Sequence, residues 1–459
     1  MKLMECLLDH AESLCFAHVP EAAVSAARIF VTDSVGVGLA GGCHPRVPEL
    51  RVAALGWGRG DEAHDWRSGE AWPAPTAAML NAYQIHNQEF DCVHERAVVH
   101  PLATILPALM AHAERESQLG RPVCGQDFIV ALVLAVDVAA TLGCAHISPM
   151  RFFRPAMCGA LGSAIGLAKL AGCSRVQMAN AFGIAYSQLA GTMQAHTEGS
   201  PMLALQVGLA SRAAVCALDL ARASFSGPHD VLEGPFGYFE LFDAPLVPRR
   251  EAVQALFKRL GQDWRIAELS HKPFPTGRAG HGALDGVLTL QRVHGFAAAD
   301  VAQVELAAPP LVLRLVGRPA HAGMDVNYAR LCLSYLVATW LLQGRLGLND
   351  FSREALDDPQ RLALAQRVVV APSGCVDPNA LAPQRVSVRL YDGRSLAIEL
   401  PAVLGHPQRA LSGEAQRAKF DACCAHAGLS PDAVARLHEA CAGLAELPDV
   451  AALVQRMHP

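Results

Sequence analysis

From about residue 75 to residue 260 the chain repeats one pattern, with apolar residues three and four positions apart. No alternating run interrupts it. That spacing puts the apolar side chains on one face of a helix and excludes strands over the same stretch. It predicts helices over about 75–86, 101–114, 125–143, 155–171, 176–191, 201–223 and 249–260. An Ala- and Gly-rich helix precedes them over 20–42, closed by a glycine pair that suits a C-cap. The polar, Trp/Gly/Pro-rich stretch 43–73 reads as loop, so the first 265 residues are expected to be all-helical. Pro107, seven residues into its helix, is expected to kink that helix or to move its start. Gly159, Gly162, Ser163 and Gly166 form a stripe of small residues that allows close helix approach, and neither a GxGxxG after a strand nor a P-loop is present.

Near residue 268 the pattern changes. VAQVELAAPP (301–310), RVVVAP (367–372) and QRVSVRLYDGRSLAIEL (384–400) alternate or are β-branched, and Asp392-Gly393 marks a hairpin turn. Helical stretches at 281–293 and 328–346 lie between them, and residues 411–459 return to helical spacing. The expected architecture is mainly α. A large all-helical domain is formed by residues 1–267 and 403–459, and a smaller α+β domain by 268–402.

Composition removes several functions. Net charge is −5 and no basic block occurs, so there is no electrostatic footprint for nucleic acid. No uncharged apolar run reaches the length of a membrane span, and the amino terminus lacks the form of a secretory leader. The fourteen cysteines are scattered without a CxxC pair, which indicates reduced thiols in a cytoplasmic protein and no zinc knuckle or disulfide framework.

Two stretches carry the chemistry. HNQEFDCVHERAVVHP (86–101) holds His86, His94, His100, Glu89, Asp91, Glu95 and Arg96 between two apolar helices. HKPFPTGRAGHGALDG (271–286) sets Lys272, Arg278 and His281 ahead of a helix at the expected domain boundary, where small-molecule sites preferentially lie. His100, Arg154 and Ser200 each directly precede a proline, which places them at helix amino termini suited to anions. His86, Asp91, His94 and His100 are also donor types that a metal-dependent hydrolase would use, although their spacing fits no standard ligand motif.

AFGIAYSQLAG (181–191), SFSGPHDVLEGPFGYFELF (224–242), HKPFPTGRAGHGALDG, LCLSYLVATWLLQGRLGL (331–348) and LYDGRSLAIELPAVLGHP (390–407) together resemble the MmgE/PrpD family. That family includes 2-methylcitrate dehydratases, cis-aconitate decarboxylases and iminodisuccinate epimerases. The resemblance covers nearly the whole chain in order. It implies an all-helical domain built from both chain ends, a smaller α+β lid, a homodimer, and metal- and cofactor-independent chemistry on small di- or tricarboxylates. Glu89-Phe90-Asp91-Cys92 followed by His100-Pro101 resembles the family's acidic segment, and Lys272, Pro275, Arg278 and His281 its Lys-x-x-Pro pattern. Two positions depart: Phe153-Arg154 stands where decarboxylase-like members have His, and Leu203 where many members have Lys.

What this implies is abstraction of a proton α to a carboxylate by a dehydratase, hydratase or epimerase, with a cis-aconitate-type decarboxylase as the alternative. His100 and Lys272 are the expected acid–base pair, and Asp91 orients His100. Arg154 and Ser200 are expected to hold carboxylates, with Arg278, His281 and His94 as further binding residues. Tyr186, Glu198 and Tyr335 read as structural. A family member that binds polycarboxylates without turnover is the remaining reading.

Overall fold

In the computed structural model, which describes residues 2–458, the chain is mainly helical, with 58% helix and 8% strand. The helices that frame the site are α1 (Glu21–Gly41), α2 (Ala74–His86), α3 (Pro101–Gln118), α4 (Gly125–Cys144), α5 (Arg154–Leu170), α6 (Arg175–Tyr186) and α7 (Met202–Arg222). They lie close to the positions that apolar spacing predicts, because each buries its apolar face against its neighbours. The stretch expected to be loop before α2 contains a helix, Val47–Leu55, and a two-residue antiparallel pair, β1 (Ala63–His64) with β2 (Ala71–Trp72). That helix is mostly exposed, so its spacing carries no clear apolar face. Pro107 moves nothing: α3 starts at Pro101 and runs through it. The helix expected over 201–223 is α7, and a short helix that spacing did not predict, Gln194–Glu198, precedes it and ends at left-handed Gly199.

The small-residue stripe on α5 sets the closest approaches. A Cβ at Gly162 would lie 2.4 Å from the Ala135 carbonyl oxygen of α4, and one at Gly159 would lie 2.5 Å from Thr104 Oγ1 of α3. Backbone oxygen cannot yield there without separating the helices. Gly162→Ala is therefore expected to destabilise the protein by roughly 1–3 kcal/mol despite alanine's better helix propensity, read as a lower urea midpoint. The glycine pair ending α1 has the same purpose. Gly42 is right-handed, and a Cβ at Gly41 would sit 1.7 Å from Gln84 oxygen, so close packing decides that position rather than a left-handed cap.

Three helices, α1, α4 and α7, are long and apolar enough by length and composition to cross a membrane. Burial within the protein accounts for most of that character in α4 (89%) and α1 (72%), and α7 keeps a more open face bearing Leu209 and Leu220.

The sheet forms late in the chain. Its order is β4 (Val368–Pro372), β3 (Val301–Ala308), β5 (Gln384–Leu390), β6 (Ser395–Leu400). β3 and β4 are parallel and the other pairs antiparallel. The hairpin turn falls at Asp392-Gly393, where Gly393 is left-handed at φ 91°. Helix α8 (His281–His294) lies on this sheet, with the Gly286 position against Val386 and the Gly282 position against Gln384. Helix α9 (Leu333–Gln343) covers the same cluster. The chain then returns: α10 (Gly413–His426) packs Phe420 against Gly36 of α1, and Lys419 Nζ pairs with Asp33 at 2.7 Å.

Buried apolar residues fall into two main clusters. One joins α1–α7 to Phe420, Cys424 and Leu437, and the other gathers residues 274–400 around the sheet. Val98 and Met150 come from loops of the helical part yet pack in the second cluster. The seam between the clusters therefore runs past the 86–101 loop.

Candidate active site

Helix α2 ends at His86 and α3 begins just after His100, so the intervening loop brings the two imidazoles back together. Their ring centroids are 4.8 Å apart in an edge-to-face arrangement. Asp91 stands between them: His86 Nδ1 lies 2.9 Å and His100 Nδ1 3.0 Å from the same oxygen, Oδ2. An antiparallel bridge joins Val93 to Ser270, with the Val93 N–H donating to Ser270 oxygen at 3.1 Å and the Ser270 N–H donating back at 2.8 Å. In that antiparallel register, two residues before Val93 and two after Ser270, Lys272 comes opposite Asp91. Its Nζ is 3.5 Å from Asp91 Oδ1 and donates to Glu89 Oε2 at 3.0 Å.

Holding Glu89 there requires a left-handed backbone at φ 51°, which is uncommon for a residue with a Cβ and persists only where its surroundings fix it. Asn87 Nδ2 donates to Gly41 oxygen at 3.0 Å on one side. On the other, buried Arg330 donates to the oxygens of Gln88 and Pro275, at 3.1 and 2.8 Å.

Charge sorts the four groups. Burial would raise Asp91, but His100, His86 and Lys272 outweigh it and hold the carboxyl well below its usual range. Glu89 is likewise pulled down to about 2 against its burial, chiefly by Lys272. The histidines diverge. Burial works against the charged form of His86, yet Asp91 and Glu89 more than offset it and raise this imidazole above its ordinary 6.5. For His100 burial prevails, helped by Lys272, and the imidazole is lowered. One imidazolium and one neutral imidazole thus share one carboxylate oxygen. Such a split distinguishes an acid from a base. The Nε2 of His86 is buried with no protein partner, and both rings line a narrow pocket of about 60 Å³.

The starts of three helices meet at that pocket, which is lined by His100, by Phe153 and Pro155 at the start of α5, and by Leu203 at the start of α7. The individual side chains sort differently. Lys272 is wholly buried beside the carboxylates and is not in the pocket wall, so it faces Glu89 and Asp91 rather than a bound molecule. Arg154 spends Nη1 on Ala97 oxygen at 3.2 Å and Nη2 on Asn379 Oδ1 at 2.9 Å, also outside the wall. Ser200 Oγ accepts the Met202 N–H at 3.2 Å. Arg278 touches the pocket, but its guanidinium is committed to Glu95 Oε1 at 2.7 Å and to the carbonyls of Leu404 and Val403. His281 Nε2 is 3.1 Å from Thr276 oxygen in a fully buried position, and His94 Nε2 is 2.8 Å from Glu268.

Two residues enter that the sequence did not single out. His196 lines the pocket, and burial together with Arg318 lowers its imidazole to about 4, so it is neutral. Arg318 Nη2 donates to His196 oxygen at 2.8 Å, while its Nη1 is buried without a partner among the described residues. No motif precedes Arg318, so no local signal could have found it.

His86, Asp91 and His100 place one donor atom each within 4.8 Å of one another, a set suited by type to a metal. His94 is not among them. Both imidazoles direct Nδ1 at the carboxylate rather than at a common vertex, and the Lys272 ammonium already stands beside Asp91. That arrangement fits a hydrogen-bonded acid–base cluster better than a ligand cage.

Two family models match the chain: the MmgE/PrpD N-terminal domain over residues 5–247 and the MmgE/PrpD C-terminal domain over 274–444. Cis-aconitate decarboxylase from Homo sapiens is 26% identical over an alignment covering 98% of this chain and 93% of that protein. Cis-aconitate decarboxylase from Aspergillus terreus is 23% identical, covering 86% and 84%. A mitochondrial 2-methylcitrate dehydratase from Yarrowia lipolytica is 27% identical over 25% of this chain and 23% of its own length.

Proposed function

The chain belongs to the MmgE/PrpD family, and from that premise we propose that it is a cofactor-independent lyase that abstracts a proton α to a carboxylate of a small di- or tricarboxylate. The observation that carries this is the pair of histidines on Asp91 Oδ2, shifted in opposite directions. His100, neutral and with Nδ1 3.0 Å from Asp91 Oδ2, offers Nε2 as the base. His86, as imidazolium, directs its unpartnered Nε2–H at the charge that develops on the substrate, or protonates a departing hydroxyl. Asp91, Glu89 and Lys272 hold this pair in place and balance its charge. Arg318 holds His196, which lines the pocket, through the His196 carbonyl.

Dehydration is the first reading, since a base beside an imidazolium handles both transfers that elimination of water needs, one taking the α proton and the other giving a proton to the departing hydroxyl. Decarboxylation is the second, favoured by relatives of that name that align with most of the chain and by an apolar wall that suits loss of charge as carbon dioxide. Proton NMR of the protein with citrate, 2-methylcitrate, cis-aconitate and iminodisuccinate tests it. A new vinylic product without carbon dioxide supports dehydration, and release of carbon dioxide supports the second reading. Unchanged substrates across the panel would contradict both.

Two expectations follow from the charge pattern. Activity requires His100 neutral and His86 charged. The profile of kcat/KM against pH should therefore fall on the acid side below 6.5, as His100 takes a proton, and on the basic side above 6.5, as His86 loses one. A profile with both limbs below 6.5 would show that His86 is not held charged by Asp91 and Glu89. Arg318→Met, which removes the guanidinium that holds the His196 carbonyl and lowers its imidazole, should raise KM a few-fold with kcat little changed.

A further inference from the structure

We propose that a second cavity, between α1 and α10, binds a small hydroxylated anion, with its hydroxyls inward and one phosphate or carboxylate at the mouth. The cavity measures about 390 Å³, the size of a small-molecule site. It shares no lining residue with the histidine pocket. Helical spacing builds it. Ser25, Arg28 and Asp33 fall on one face of α1, and Gln416, Arg417 and Phe420 on one face of α10. The helices touch where Phe420 meets Gly36 and where Lys419 Nζ pairs with Asp33 Oδ1 at 2.7 Å. His271 joins the wall, its ring stacked on Phe30 of α1 with centroids 4.4 Å apart.

Two of these lining side chains are more than nine-tenths buried, and each has an atom without a partner among the described residues. They are Asp33, 5% exposed, at Oδ2, and His271, 5% exposed, at Nε2. Buried polar atoms of this kind cost free energy unless something bonds to them. Lys419 already balances the Asp33 charge, so the free oxygen calls for a neutral donor and not a second cation. Burial lowers the His271 imidazole to about 4 despite Asp33, so this ring is neutral as well. A pair of hydroxyls suits both atoms, in the way a carboxylate takes the hydroxyl of a ribose. The mouth has the opposite character. Arg28 keeps a buried, unpartnered Nε, with Nη2 on Glu446 at 3.2 Å, and Arg417 is 40% exposed with Nε on Asp421 at 2.7 Å. Both arginines line the cavity, whereas Glu446 and Asp421 do not. Two guanidinium groups there favour an anion.

Calorimetry on the whole chain tests this with ribose 5-phosphate, gluconate, ribose and inorganic phosphate. The first two combine hydroxyls with an anion, and the tighter of them tells phosphate from carboxylate. That probe should bind at least about tenfold more tightly than ribose or phosphate alone, the contribution of one hydrogen bond to a charged group. His271→Phe keeps a ring against Phe30 but has no Nε2, and should weaken the same probe about three- to tenfold. Arg417→Gln, at an exposed position, should weaken it about tenfold and leave ribose unchanged. Thermal melts check that both variants are folded. The inference is overturned if neither combined probe binds, or if phosphate or ribose alone binds as tightly. Unmoved affinity in either folded variant also overturns it, because the probe then binds elsewhere. None of these readouts involves turnover, so they stand or fall separately from the lyase reading.

Discussion

His100→Asn is expected to lower kcat/KM by about a hundred- to ten-thousandfold, the range that general acid–base catalysis contributes. Asparagine can still donate an amide N–H to Asp91 Oδ2, where His100 Nδ1 stands at 3.0 Å, so the loop keeps its anchor. It cannot accept a proton. Substrate affinity and melting temperature should therefore stay close to those of the unmodified protein while turnover collapses. The variant should also lose the acid limb of the pH profile, because that limb reports protonation of this imidazole. Steady-state kinetics with a thermal melt checks all three. Activity within tenfold of the starting protein would remove His100 as the base.

Asp91→Asn should be comparably severe for another reason. One carboxylate serves two imidazoles and an ammonium in a site that excludes water. Without its charge, burial governs His86, which is then neutral at the pH of the assay, and the basic limb moves down through 6.5. Lys272 retains Glu89 at 3.0 Å, and the amide keeps hydrogen-bonding capacity, so folding survives better than in Asp91→Ala. The alanine variant leaves buried groups unpaired and is expected to cost about 3–5 kcal/mol. Kinetics across pH and urea unfolding of both variants separate the two effects. A basic limb that stays where it was would show that Asp91 does not hold His86 charged.

Much of this was legible in the sequence because it is local. The 86–101 loop announces itself through titratable residues between two apolar helices, and His100-Pro101 and Arg154-Pro155 mark helix starts that the structure reproduces. The parallel pair of β3 with β4 was not legible, because its crossover spans residues 309–367 and only the fold sets its register. The same holds within the site. Lys272 reaches Asp91 through one bridge between Val93 and Ser270, residues far apart in the chain. Sequence could rank Lys272 as important but not reveal that it faces carboxylates instead of the pocket. Arg154, Arg278, His94 and His281 have the right chemistry for binding, yet each is committed to a protein partner that spacing does not disclose. His196 is the converse: unremarkable in the sequence, and brought to the pocket wall by the packing of the two clusters, with Arg318 behind it.

The measurement closest to the central claim is proton NMR of the protein and of His100→Asn in D2O with the same carboxylate panel. The account predicts deuterium at a carbon α to a carboxylate with the unmodified protein, and none with the variant although both bind the ligand. Equal exchange by the two proteins would contradict it, and so would turnover of a panel member without exchange at that carbon.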